Sequence, residues 1–249
     1  MIYFNKRCIA GRYLGKAAFL FLLALTGVFR TQAQRIGLNR PDHDDWRYYF
    51  GMSISYNSSY LHTSKNPRFY QNDSILVTEP GSKGGIALGL LGTLRISNHL
   101  EFRANPQLII GGSKYITYTL KNPSPGESII EQKLMPSTIV GFPFHFKFNS
   151  DRIHNFRVYL LGGIKYDLDL ASNSAARNAE DLVKLKKGDF GVETGIGFNF
   201  YLRFVTVSPE IKFSQGLTNI HSRDPSLKYS SVFDKLQSRM IFFTLNLED

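Results

Sequence analysis

The amino-acid sequence predicts an all-β chain, a transmembrane antiparallel up-and-down β-barrel of about eight strands. Three observations carry this expectation. Long runs alternate apolar with polar or small residues at period two, the repeat of a strand with unlike faces. The chain opens on a basic stretch followed by an apolar one, the pattern of an export signal. The polar connections alternate long and short, as outer loops and periplasmic turns do in membrane barrels.

The clearest alternation lies between Phe156 and Tyr201. Phe156, Val158, Leu160, Gly162, Ile164, Tyr166, Leu168 and Leu170 share one face, and Arg157, Tyr159, Gly163, Lys165, Asp167 and Asp169 the other. After a polar segment, Phe190, Val192, Thr194, Ile196, Phe198 and Phe200 oppose Asp189, Gly191, Glu193, Gly195, Gly197 and Asn199.

The N-terminus sets the context. Lys6, Arg7, Arg12 and Lys16 precede the apolar run Ala17–Phe29, which is short for a spanning helix, so residues 1–34 are expected to be a signal peptide. Residues 35–45 then form a polar periplasmic lead-in and residues 46–249 the barrel. Loss of the signal removes five basic residues and no acidic one, leaving 25 basic against 20 acidic residues and lowering the net charge from +10. So mild an excess, with no basic cluster interleaved with aromatics, gives no reason to expect nucleic acid. The single cysteine, Cys8, lies in the signal ahead of the apolar run. The mature chain is therefore expected to lack disulfides, thiolate nucleophiles and cysteine metal sites.

In chain order, the first strand alternates Trp46, Tyr48, Phe50, Met52, Ile54 and Tyr56 against Arg47, Tyr49, Gly51, Ser53 and Ser55. Residues 57–84 read as a long polar loop, with Asn66-Pro67 and Pro80-Gly81 as turn signals. Gly85–Ile96 is the second strand and Ser97-Asn98-His99 a short turn. Leu100–Ile110 follows, extendable through Tyr115 and Tyr118, and ends at the loop Asn122–Gly126. Ile129–Phe148 reads as one strand interrupted by Pro136 and Pro143, each of which removes a ladder donor. The turn 149–155 leads to the strand pair already described. Leu202-Arg203 is a tight connection before the strand carrying Val205, Val207, Ile211 and Phe213. A polar loop over residues 217–235 precedes the last strand, Gln237–Leu247.

The faces separate a barrel from a soluble sandwich. A sandwich turns its polar faces to water, where any charge is tolerated. Here those faces are glycine-rich, with spaced charges: Arg95, Glu101, Arg103, Lys147, Arg157, Lys165, Asp167, Asp169, Glu193, Glu210 and Lys212. An eight-stranded interior is narrow enough to be filled by side chains, and buried charge there must be matched. The opposite faces carry almost no charge, as lipid contact requires, since a mid-bilayer Lys or Arg costs roughly 2–4 kcal/mol. Tyr48, Tyr56, Phe102, Phe148, Phe156, Tyr166 and Phe204 stand near strand ends, where aromatic girdles form.

The residues give little purchase for chemistry. No phosphate loop, dinucleotide fingerprint or metalloprotease helix motif occurs. His99 and His154 fall in short turns, and His145 points inward beside Lys147 as a packing residue. His221 lies with Ser222, Arg223 and Asp224 in one loop, but triads are assembled from separated segments. The loop acids Asp73, Glu79, Glu180, Asp181 and Asp224 lack calcium-loop spacing. A filled lumen also argues against a conducting porin. The chain is thus expected to be non-enzymatic, without cofactor, metal or small-molecule substrate. Recognition is expected in the loops, on Arg177, Glu180, Asp181 and Lys184 and on His221, Arg223 and Asp224.

Several segments resemble one family closely: NSDRIHNFRVYLLGGIKYDLDLASN from Asn149, AEDLVKLKKGDFGVETGIGFNF from Ala179, and SPEIKFSQGL followed by HSRDPSL between Ser208 and Leu227. The start YFGMSISYNSS and the end QSRMIFFTLNLE share the likeness. The sequence resembles the PorT family, outer-membrane barrels of the type IX secretion system in Bacteroidetes-type bacteria. The resemblance spans nearly the whole mature chain. It implies an outer-membrane location, other secretion-system proteins as partners, and a role in exporting proteins with C-terminal sorting domains, with gliding supported where present. It brings no catalytic residues. The alternative is an outer-membrane integrity or adhesion barrel that binds ligands through its extracellular loops.

Overall fold

The structure, a computed structural model, describes residues 37–67, 74–123, 128–172, 185–222, 229 and 232–249. The expected signal peptide lies outside the described residues, and Leu38–Asp249 form one compact unit. A short 3-10 turn, Pro41–Asp45, is followed by strands β1 (Tyr48–Lys65), β2 (Ile75–Arg95), β3 (Leu100–Ala104), β4 (Gln107–Gly111), β5 (Lys114–Leu120), β6 (Ile130–Met135), β7 (Thr138–Asn149), β8 (Phe156–Asp169), β9 (Gly188–Tyr201), β10 (Thr206–Gly216) and β11 (Phe233–Glu248).

Sequential antiparallel pairing joins these strands, and β1 closes the ring by bonding both β11 and β2. Between β2 and β7, β3 and β4 share one position and are interrupted at Asn105-Pro106. The ring therefore has eight staves, and closure removes every strand edge from the membrane-spanning wall.

The alternation in the sequence becomes the two surfaces of this wall. Phe50, Met52, Ile54, Leu88, Leu90, Phe146, Phe148, Leu160, Phe213 and Phe243 point outward and are exposed. Tyr49, Arg103, Lys147, Tyr159, Lys212 and Phe242 point inward and are buried. The short connections after β2, β8's preceding turn and the turn after β9 lie at one end, with the chain's C-terminus, and mark it as periplasmic.

At the opposite end the strands outrun the membrane. Residues 57–84 are not one loop, because β1 continues to Lys65 and β2 already begins at Ile75. Both faces of a strand above the bilayer can be polar, so period-two apolarity fades there while the backbone ladder persists. Pairing of β1 with β2 stops at Ser59–Lys83. Above it, β2 turns to β5, and β5 to β6, forming a three-stranded flap. The upper half of β1 stays with β11, whose first turn starts at Phe233, inside the expected 217–235 loop.

Flap and ribbon enclose an apolar core that caps the barrel like a dome. Ile75, Ile116, Tyr118, Leu120 and Met135 come from the flap, Leu61, Phe233 and Leu236 from the ribbon, and Leu185 and Ile220 from the neighbouring connections. Tyr118 meets Tyr229 edge-on at 4.9 Å between ring centroids.

The expected single strand Ile129–Phe148 divides into β6 and β7 at Pro136-Ser137, where proline withholds a ladder donor. Pro143 remains inside β7, opposite Lys165. Gly111 (φ 81°) and Gly112 (φ 58°) adopt left-handed backbone at the base of the flap. They shift the inward parity from Gln107 and Ile109 to Lys114, Ile116 and Tyr118.

A closed barrel with a sealed outer mouth resists detergent unfolding. The protein in outer membrane is expected to migrate faster on detergent gels before boiling than after; identical mobility would contradict the closed ring.

Candidate functional site: the charged lumen and its two caps

The inner wall carries the expected charges Arg95, Glu101, Arg103, Lys147, Arg157, Lys165, Asp167, Asp169, Glu193, Glu210 and Lys212, together with Lys114, Asp189 and Glu248. Among the described residues, seven cations thus share the lumen with seven carboxylates. Glu248 continues the inward parity of Thr244 and Asn246 by one more step, so the signal for it was present at the end of the chain. Lys114 lies beyond the parity shift at Gly111-Gly112 and could not be placed by counting.

The centre of the periplasmic half is Arg103, on β3. Its Nη1 donates to Glu210 Oε2 at 3.0 Å, and its Nη2 donates to Glu248 Oε1. All three side chains are 2% exposed or less. Tyr159 OH donates to the same Glu210 oxygen at 2.7 Å. Lys147 Nζ lies 3.4 Å from Glu101 Oε2 and 4.2 Å from the centre of the Tyr159 ring. Glu101 also accepts from Tyr49 OH at 2.9 Å and pairs with Arg95 at 3.2 Å. A Cβ on Gly197, the ladder partner of Tyr159 on neighbouring β9, would collide with the Tyr159 ring, so that glycine makes the room this tyrosine occupies.

Nearer the middle, His145 Nε2 lies 2.9 Å from Glu193 Oε2, and Lys212 Nζ 3.8 Å from Glu210 Oε1. The buried apolar side chains of Ala87, Ile109, Ile139, Met240 and Phe242 form a further cluster on the inner wall. Under the dome, Lys165 Nζ contacts Asp167 Oδ2 at 2.5 Å. Asp169 there accepts from Ser137 Oγ at 3.0 Å and from the amide of Ala171 at 3.0 Å.

The periplasmic mouth is closed by the segment just ahead of β1. The stretch expected as a lead-in folds into the 3-10 turn Pro41–Asp45. Asp44 pairs with Arg152 at 2.9 Å and with Arg157 at 3.5 Å. Arg95 donates to the carbonyls of His43 and Asp44, the former at 2.8 Å. Arg152 stacks 3.8 Å from the Tyr201 ring and donates to the carbonyl of Asn39. His43 is buried, and its Nε2 donates to the carbonyl of Asp249 at 3.1 Å. Burial, aided by the charges of Arg40 and Arg95, pushes the His43 imidazole from its ordinary 6.5 down to about 4.

The remaining predicted residues are placed as follows. Arg177, Glu180, Asp181, Lys184, Arg223 and Asp224 lie outside the described residues. His221, expected on an exposed loop, is 2% exposed and bridges to Leu185. Its burial beneath the dome removes it from any surface used for contact. The broad depressions of the outer wall, about 600 Å3 each, are lined by Ile54 and Leu245 with Phe198 and Pro209 on one side and Leu88 and Pro106 on the other. They face the bilayer and suit acyl chains.

The family model described as outer membrane protein beta-barrel domain matches residues 32–222. The chain belongs to this family. It is an outer-membrane β-barrel, and its apolar wall sits in that membrane. Among solved structures, this outer-membrane barrel is similar to OprG from Pseudomonas aeruginosa, at 12% identity over 81% of this chain and 93% of that one, with a TM-score of 0.46. It is also similar to Neisserial surface protein A, at 11% identity over 80% and 95% of the two chains and a TM-score of 0.44. Ail of Yersinia pestis, solved with the heparin analogue sucrose octasulfate, matches at 8% identity over 82% and 100%, with a TM-score of 0.36. No curated protein sequence matches.

Two outcomes follow from this geometry. Arg103→Met leaves Glu210 and Glu248 buried without their shared cation, and is expected to lower stability by about 3–5 kcal/mol in urea unfolding of the micellar barrel. A detached His43 takes up a proton near 6.5, whereas the docked ring does so only near 4. Docking is therefore fully favoured above the higher value and weakens as the pH falls between the two. Trp46, the single tryptophan, has its ring 5.5 Å from that of His43 and reports the change. Its fluorescence is expected to shift across that interval in the native protein and to stay constant in His43→Gln.

Proposed function

We propose that this barrel is a non-enzymatic, non-conducting subunit of a type IX secretion machine, needed for export of proteins with C-terminal sorting domains. The observation that carries the non-conducting part is the lumen: most of its charges are paired side chain to side chain, with a folded cap at each mouth. An axis so filled leaves recognition to the rims and loops. The secretion role rests on the PorT-like segments, which fall on β8, β9, β10 and the ends of the barrel. The proposed contacts are Arg177, Glu180, Asp181 and Lys184 in the connection before β9, and Arg223 and Asp224 in the connection before β11. The 3-10 turn offers a second contact face from the periplasm.

An integrity or adhesion barrel is the other reading. The dome favours it, because a folded core beyond the membrane holds the β5–β6 flap outward as a rigid surface. Deleting the gene and assaying sorting-domain proteins in the medium separates the two. Export is expected to fail and to return with the native gene. Normal export in the deletion strain, or isolation of the barrel without any secretion protein, would favour the second reading. Reversing the charges at Arg177, Glu180, Asp181 and Lys184 is expected to weaken export while leaving the heat-dependent gel shift intact.

A further inference from the structure

Beneath the dome, two buried carboxylates are set side by side. Asp167 on β8 and Asp189 on β9 are direct partners in the ladder and point to the same side of the wall. Partners of this kind have Cα atoms about 4.5–5.5 Å apart, and like charges so placed repel. Both residues are more than nine-tenths buried, at 4% and 8% exposed. One oxygen of each is satisfied: Asp167 Oδ2 by Lys165, and Asp189 Oδ2 by the Ser238 hydroxyl. The second oxygen of each, Oδ1, is buried without a hydrogen-bond partner. Both residues line one small cavity of about 20 Å3, enough for a single water.

The charged groups around this cavity come from every packed element. β8 supplies Lys165 and Asp169, β5 supplies Lys114, and the strap ahead of β9 supplies Lys186 and Lys187, which are exposed to solvent. Glu193 on β9 is taken up by His145, and His221 bridges to the strap at Leu185. Lys165 is committed to Asp167. Among the described residues no cation pairs directly with Asp189, which has only the Ser238 hydroxyl. Asp167 and Asp189 are buried and Asp169 is half-buried, while the buried ammonium groups are Lys165 and Lys114, of which only Lys165 reaches one of the two aspartates as an ion pair. Glycine faces both acids, so each carboxylate sits where the position opposite leaves it room: a Cβ on Gly141 would stand 2.9 Å from Asp167 Oδ1, and one on Gly216 would fall against Asp189 Oδ2.

We propose that Asp167 and Asp189 bind one proton between them at neutral pH, directly or through one bridging water. The shared proton satisfies both orphaned oxygens and relieves the repulsion between adjacent carboxylates, as two carboxyl groups in one site do when both cannot ionise. The pair lies directly under the strap. The amide of Lys186 donates to Ile220, and the carbonyl of Lys187 accepts from Asp169. The proton therefore acts as a latch at the root of the connection that carries Arg177 to Lys184. Ionising both acids adds a buried charge where that connection is anchored, so the site couples external pH to the seating of the dome. The latch belongs to the barrel itself and does not depend on the secretion reading.

Infrared spectroscopy of the whole barrel in micelles tests this. At about pH 7 a protonated-carboxyl carbonyl band is expected, where ordinary Asp and Glu have ionised. The band should disappear in Asp189→Asn and on raising the pH. Asp189→Asn mimics the protonated acid, so it should fold and keep the heat-dependent gel shift. The native unfolding temperature should fall relative to Asp189→Asn as the pH rises, since the folded state alone holds the proton. If the native protein lacks the band, or the band survives in both Asp189→Asn and Asp167→Asn, the proposal fails. Stabilisation by sodium in the absence of the band would assign the cavity to a cation instead and equally overturn it.

Discussion

Arg103 sits between Glu210 and Glu248 with all three side chains withdrawn from water, and the architecture follows from the need to match that charge. A guanidinium enclosed by a wall only eight strands round has no solvent to turn to. Its carboxylates must come from strands across the lumen, here β10 and β11, so the pair ties distant staves together. Tyr159, with Lys147 over its ring, completes the cluster because Gly197 leaves space for it on the neighbouring strand. Small residues, long charged side chains and ring closure are thus one solution. Remove any of them and the others lose their reason.

The same constraint accounts for the caps. A lumen filled with ion pairs is stable only if water is kept from competing for them at the mouths. On the periplasmic side Asp44 enters from the 3-10 turn and gives Arg157 a carboxylate partner. On the outer side the strands rise beyond the bilayer and close over an apolar core. The two closures use different physics. One is a network of hydrogen bonds and a neutral buried imidazole, sensitive to acid; the other is dry packing, indifferent to it. The molecule is therefore asymmetric along its axis, with a responsive inner end and a firm outer one. The carboxyl pair under the dome is the exception that gives the outer end its own titratable joint.

Much of this was legible in the residues. Period-two alternation identified the membrane-spanning parts of the staves, because lipid outside and charge inside enforce unlike faces at every step. The inward charges from Arg95 to Lys212 could be counted from parity alone. Where the outer face meets water instead of lipid, the signal weakens. The upper halves of β1 and β2 bury only occasional apolar residues such as Leu61 and Ile75 on their inner face, so residues 57–84 looked like a loop while their backbone continued the ladder. Two left-handed glycines reversed the parity before β5 and hid Lys114. His221 looked like a surface residue because its neighbours are polar, yet it folds under the dome.

The sequence by itself determined the class of molecule: an exported chain whose alternating faces suit a closed barrel, with near-balanced charge inside. Those properties are local and repeat at every second residue, so they can be read without knowing which strand meets which. Only the tertiary structure decided the partners. That Arg103 bridges β10 and β11, that Asp44 plugs the mouth, and that Asp167 faces Asp189 across β8 and β9 all depend on register between segments far apart in the chain. Register is fixed by the closure of the whole ring, and no stretch of residues carries that information alone.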